Sequence, residues 1–186
     1  MGSVESSAAN PLVVSGTVNS IPAVAAGTQF YFYTLVDTPG VVAANNFVSF
    51  FNPASSTKTM QAFSATVTSW SGGATTVTNS MTVTRISAAS AGTLVAGSSV
   101  HRFLLTQPDP QVEVRTGNPT TTLFNGPLIG FSPVITTAGS GASAIGNTSV
   151  PPGGSFVCAP GQGIVFRTPA GDIDQLWNIQ FIWAEL

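Results

Sequence analysis

The stretch Leu176-Trp177-Asn178-Ile179-Gln180-Phe181-Ile182-Trp183-Ala184 decides the fold class, because its apolar and polar residues alternate with period two. Successive side chains of a β-strand point to opposite faces. Trp177, Ile179, Phe181 and Trp183 therefore share one face, opposite Asn178 and Gln180, and the segment reads as a strand with one face in a core. Gln29–Val36 is built differently. Phe30 and Phe32 point one way while Tyr31, Tyr33 and Leu35 point the other, so both faces are apolar or amphipathic. Such a strand calls for cover on both sides, from a second sheet and from a loop, an N-terminal arm or another subunit.

Elsewhere Val, Thr, Phe, Ile and Ser are punctuated at short intervals by Gly, Pro and Asn, the pattern of many short strands joined by turns. Strands are predicted near 46–51, 59–70, 75–86, 93–96, 111–116, 155–158 and 164–168, besides 29–36 and 176–184. Ser71-Gly72-Gly73-Ala74 suits a tight hairpin turn joining 59–70 to 75–86, since glycine accepts positive φ. Residues 117–154 are a Gly/Pro/Ser/Thr-rich excursion with room for further irregular strands. The expectation is an all-β chain, a two-sheet antiparallel sandwich of jelly-roll type. Residues 1–28 form an N-terminal arm and residues 29–186 a single domain, with no internal repeat.

Composition removes several function classes. Of 186 residues, five are Lys or Arg and seven are Asp or Glu, so charged side chains make up 6% of the chain, against about 25% in an average soluble protein. Electrostatic capture of nucleic acid needs clustered cations, so no nucleic-acid partner is expected. With 43% hydrophobic residues and a mean hydropathy of +0.34, the chain does not read as disordered. Ser, Thr, Asn, Gly or Pro interrupts every apolar run before the roughly 18 residues of a spanning helix, so no membrane partner is expected. MGSVESSAAN lacks the basic start and apolar core of a secretory signal, which implies synthesis and folding in a cytoplasm.

Candidate chemistry is sparse. The single histidine, His101, follows Ser98, Ser99 and Val100, but no Gly-x-Ser-x-Gly elbow or orienting acid accompanies it. Asp172-Ile173-Asp174 offers two carboxylates, far fewer ligands than the six to eight that calcium takes. Cys158 is the lone cysteine and reads as a small buried hydrophobe. Asn147-Thr148-Ser149 matches a glycosylation acceptor by spacing only. Trp70, beside the Ser-Gly-Gly turn, is the one candidate stacking platform for a sugar. The chain is thus expected to be no enzyme, with no catalytic residue, metal or cofactor.

Three stretches resemble a family of small β-sandwich proteins encoded among the virion genes of tailed bacteriophages. Asn46-Phe47-Val48-Ser49-Phe50-Phe51-Asn52-Pro53 is similar to that family's early strand and its Asn-Pro turn. Thr84-Arg85-Ile86-Ser87-Ala88-Ala89-Ser90-Ala91-Gly92-Thr93, with Val114-Arg115-Thr116-Gly117-Asn118-Pro119, is the most specific part. Pro160-Gly161-Gln162-Gly163-Ile164 and the 177–185 stretch resemble the closing pair of strands. The likeness spans residues 45–186 and carries no site residues. It implies a capsid decoration or cement protein, made in the host cytoplasm and bound to the outer head surface of the virion, where it bridges subunits of the major capsid protein. A virion-associated receptor- or carbohydrate-binding module of a tail or fibre is the alternative. The exposed apolar rows point to self-association, as a homotrimer. Leu12, Val13 and Val14 in the arm, with Tyr31 and Tyr33, are the expected capsid or subunit contacts.

Overall fold

The computed structural model describes residues 27–38, 45–70, 77–79, 81–130, 134–136, 147–148, 156–168 and 176–186. In chain order the strands are β1 (Gln29–Asp37), β2 (Asn45–Asn52), β3 (Met60–Trp70), β4 (Val77–Asn79), β5 (Thr82–Ser90), β6 (Thr93–Leu94) and β7 (His101–Arg102). They continue with β8 (Glu113–Thr116), β9 (Thr120–Gly130), β10 (Val134–Thr136), β11 (Asn147–Thr148), β12 (Val157–Cys158), β13 (Gln162–Thr168) and β14 (Leu176–Glu185). One sheet runs β11-β3-β14-β1-β7, with β12 also on β3; the other runs β6-β8-β2-β13-β5-β9; β4 and β10 form a separate ribbon. Every pairing is antiparallel. The two six-stranded sheets pack face to face as an all-β sandwich.

The alternation in β14 sets the core. Trp177, Ile179, Phe181 and Trp183 are all buried, and the register puts Tyr31, Tyr33 and Leu35 beside Trp183, Phe181 and Ile179 on the same face. Phe50 of the facing sheet meets this row, with its ring 4.4 Å from Phe181 and 5.4 Å from Trp183. Tyr31 stacks on Trp183 at 5.6 Å. Each such pair adds about 0.5–1.5 kcal/mol beyond area burial, so the aromatic row binds the layers as well as filling them. Gly163 marks a close approach between β13 and β2. A Cβ there would lie 2.4 Å from the Phe50 carbonyl oxygen and 2.8 Å from Phe51 Cα, a clash with backbone that leaves only glycine.

The hairpin expected between 59–70 and 75–86 is not formed. β3 is flanked by β14 on one side and by β11 and β12 on the other, whereas β5 lies in the opposite sheet between β13 and β9. The two strands supply the core from opposite sides, Ala62, Ala65 and Val67 from β3 and Val83 from β5. Strands that face each other across a core cannot be neighbours in one sheet, so the chain crosses the sandwich. Gly72 and Gly73 lie outside the described residues, and the expected 75–86 strand divides into β4 and β5. The 117–154 excursion contributes β9, an edge strand whose register against β5 shifts three times.

The two parts of the most specific family-like stretch meet. Thr93 pairs with Thr116, and Arg115 Nη1 donates to the Ala91 carbonyl at 3.3 Å. Gly92 has φ +63°, and a Cβ would sit 2.4 Å from the Thr116 carbonyl oxygen.

Candidate docking surface

Residues 101–112 cross the edge of the first sheet, and hydrogen bonds fix them there. His101 and Arg102 pair with Phe32 and Tyr31 as β7, and Phe103 N donates to the Phe30 carbonyl at 3.3 Å. Gln107 closes a turn through its N–H to the Leu104 carbonyl at 3.0 Å, and its side-chain amide donates to Phe30 O at 2.8 Å. Arg102 Nη1 donates to the Gln107 carbonyl at 2.8 Å, and its guanidinium pairs with Asp109. The Tyr31 hydroxyl donates to Pro108 O at 3.1 Å. Downstream, Gln111 N and Val112 N donate to the two oxygens of Glu185 at 3.0 and 2.9 Å. Glu185 is fully buried and lies on the core-facing parity of β14. Its carboxylate ties the end of this segment to the sandwich.

What this fixed turn carries is apolar. Phe103, Leu104 and Leu105 are 59%, 65% and 98% exposed, although soluble chains rarely display such contiguous rows. The knuckle continues onto the outer face of the sheet. Phe30 packs edge-on against Phe63 at 5.1 Å and Phe103 at 6.1 Å, and Phe32 lies over the His101 ring at 5.6 Å. Phe63 points outward because a bulge opposite Ile182 and Trp183 inserts one extra residue in β3. Ile182, between Phe32 and Ser64 in register, completes the apolar end. Beyond it the face is mixed, with Thr34 beside Gln180 and with Asn178 between Thr68 and a Val36 that is 50% exposed.

The tyrosines expected as contacts fall on the wrong parity. Tyr31 is 0% exposed, a core residue whose register partner is Trp183, so it has no surface to offer a neighbour. Tyr33 is half-buried and meets Phe50 edge-on at 6.2 Å. Burial pushes both phenols above their ordinary pKa. Their outward neighbours, Phe30 and Phe32, occupy the face in question. Leu12, Val13 and Val14 lie outside the described residues, as do Asp172, Asp174 and the side chains of Trp70 and Asn147.

His101 is exposed against Phe32, and no acid orients it among the described residues. Cys158 is buried, and burial pushes its thiol up to about 11. That holds the sulfur as the unreactive thiol at neutral pH. Among the described residues no three His, Cys, Asp or Glu side chains cluster as metal ligands, and no helix is long and apolar enough to cross a membrane. A separate small cleft of about 200 Å³ opens beside Arg85, Phe124 and the Pro160–Gly163 turn. Neither the protein families, the curated proteins nor the solved structures compared with this chain include a match to it.

Proposed function

We propose that the chain is a structural virion protein, a capsid decoration or cement protein that binds the outer head surface of a tailed phage and bridges subunits of its major capsid protein. It acts as a homotrimer. The reading takes its setting from the likeness of residues 45–186 to that family, and the observation that carries it is the Phe103–Leu105 knuckle. A hydrogen-bonded turn that spends its rigidity on displaying three apolar side chains suits a contact surface. Permanent interfaces are more apolar than transient ones. The apolar end of the outer face is therefore assigned to contacts between copies, and the mixed stretch beyond it, with the hydroxyls and amides of Thr34, Gln180, Asn178 and Thr68, to the shell.

The test is co-sedimentation with assembled heads of the encoding phage that lack this protein. Saturable binding, and heads that withstand higher temperature when occupied, support the proposal. Heads that neither bind the protein nor gain stability from it contradict it.

A further inference from the structure

The cleft beside Arg85 belongs to the second sheet, and its chemistry differs from that of the knuckle. Arg85 and Ser87 of β5, Phe124 of β9 and Gln162 surround it, with Ile86 and the Pro160–Gly163 turn completing the wall. Phe124 is 52% exposed. Arg85 gives one hydrogen bond, from Nη1 to Val157 O at 3.3 Å, and it belongs to neither of the ion pairs among the described residues. Gln162 spends its carbonyl oxygen on Ala159 N at 3.3 Å, which leaves its amide nitrogen to donate. None of the lining residues is Asp or Glu.

The lining thus combines one aromatic face with a set of donors: a guanidinium, an amide N–H₂ and the Ser87 hydroxyl. A guanidinium matches a carboxylate through paired, charge-assisted hydrogen bonds. A neutral sugar offers the guanidinium no anionic partner, so the charge of this lining favours an acid. At about 200 Å³ the cleft is below the roughly 300–1,000 Å³ of pockets that enclose a drug-sized ligand, so it has room for one ring of a longer chain. From these features we infer that the cleft binds a carboxylate-bearing sugar residue of an acidic polysaccharide. The apolar face of the sugar ring lies on Phe124, the carboxylate faces Arg85, and ring hydroxyls accept from Gln162 and Ser87. This site is independent of the docking surface and needs no contribution from it.

The test is a titration of the full chain by ¹H–¹⁵N NMR with methyl glucuronide, methyl glucoside, acetate and a short peptide with a free C-terminus. The amides of Ser87, Gly161, Gln162 and Gly163 should move saturably with the glucuronide. The glucoside and acetate should each bind about tenfold more weakly, the share of one charge-assisted hydrogen bond or of the ring contact. Arg85→Gln should remove the preference for the acid over the glucoside, and Phe124→Ala should weaken both sugars; unchanged amide spectra elsewhere show that each variant is folded. Glucuronide that leaves these amides unmoved, or that binds no better than glucoside, overturns the inference. So does acetate or the peptide binding as tightly as the glucuronide, which makes the site a bare carboxylate or peptide-terminus site.

Discussion

The two faces of β1 carry the same kind of residue and serve different ends. Inward, Tyr31, Tyr33 and Leu35 join the Trp183, Phe181 and Ile179 row and pack against the second sheet, Tyr31 fully buried and the other two partly. Outward, Phe30 and Phe32 meet Phe63, Phe103 and His101, and the apolar surface continues to a leucine at 98% exposure. The inner face leads into the core, and the outer face ends in exposed apolar side chains. Aromatic content alone therefore does not distinguish core from exposed surface. What separates them is whether the neighbouring residues complete the burial or carry the apolar surface further out.

The contrast is broken most easily at Trp183. Trp183→Ala should cost about 3–5 kcal/mol in urea unfolding, whereas Phe103→Ala on the outer side should cost less than about 1 kcal/mol. Equal losses would mean that the knuckle is part of the core. Glu185→Gln sharpens the inner side. The buried carboxylate accepts from Gln111 N and Val112 N, and an amide keeps one acceptor but turns an N–H₂ toward a donor. A loss of about 1.5–3 kcal/mol is expected, and a neutral result would show the carboxylate to be dispensable.

A smaller effect lies at alkaline pH. The folded state holds the Cys158 thiol up to about 11, while an unfolded cysteine titrates near roughly 8.5. Unfolding therefore releases a proton between about pH 9 and 11, and stability, complete below that window, falls as pH rises through it by up to about 3 kcal/mol. Tyr31 and Tyr33, raised by burial, act in the same direction at higher pH. Cys158→Ala should flatten the first part of the decline, measured as urea midpoints at pH 8, 9, 10 and 11. An unchanged profile would remove the thiol from the account. The smallest change in the stability of the single chain belongs to Leu104→Ser with Leu105→Ser, expected within about 0.5 kcal/mol of the parent at dilutions where both are monomeric.

The sandwich was legible wherever alternation was clean. Residues 177–183 declare one buried face, and the same parity extends to Glu185, a lone acid on a core row that signals a buried carboxylate. The pairing of strands was less legible. Ser71-Gly72-Gly73-Ala74 satisfies the local chemistry of a hairpin, but partner choice depends on which core face each strand must supply, and no local signal encodes that. β9 falls in the excursion expected to hold irregular strands, but its bounds were not legible, because its Thr, Gly and Pro residues follow no alternation and its register shifts. On β1 the sequence gives two apolar faces without ranking them, and only the pairing with β14 shows that the tyrosines go inside. Phe103-Leu104-Leu105 did leave a trace: an unalternating apolar run set against Thr106-Gln107-Pro108-Asp109-Pro110, turn-forming residues that hold such a run at the surface.

The central claim, that the outer apolar end joins copies of the chain, is tested most directly by light scattering behind size exclusion. The parent should elute with the mass of three 19.0 kDa chains, and the Leu104→Ser, Leu105→Ser protein, still folded by its cooperative unfolding transition, should elute as a single chain. A parent that is monomeric at every concentration, or a variant that keeps the trimer mass, would contradict the assignment.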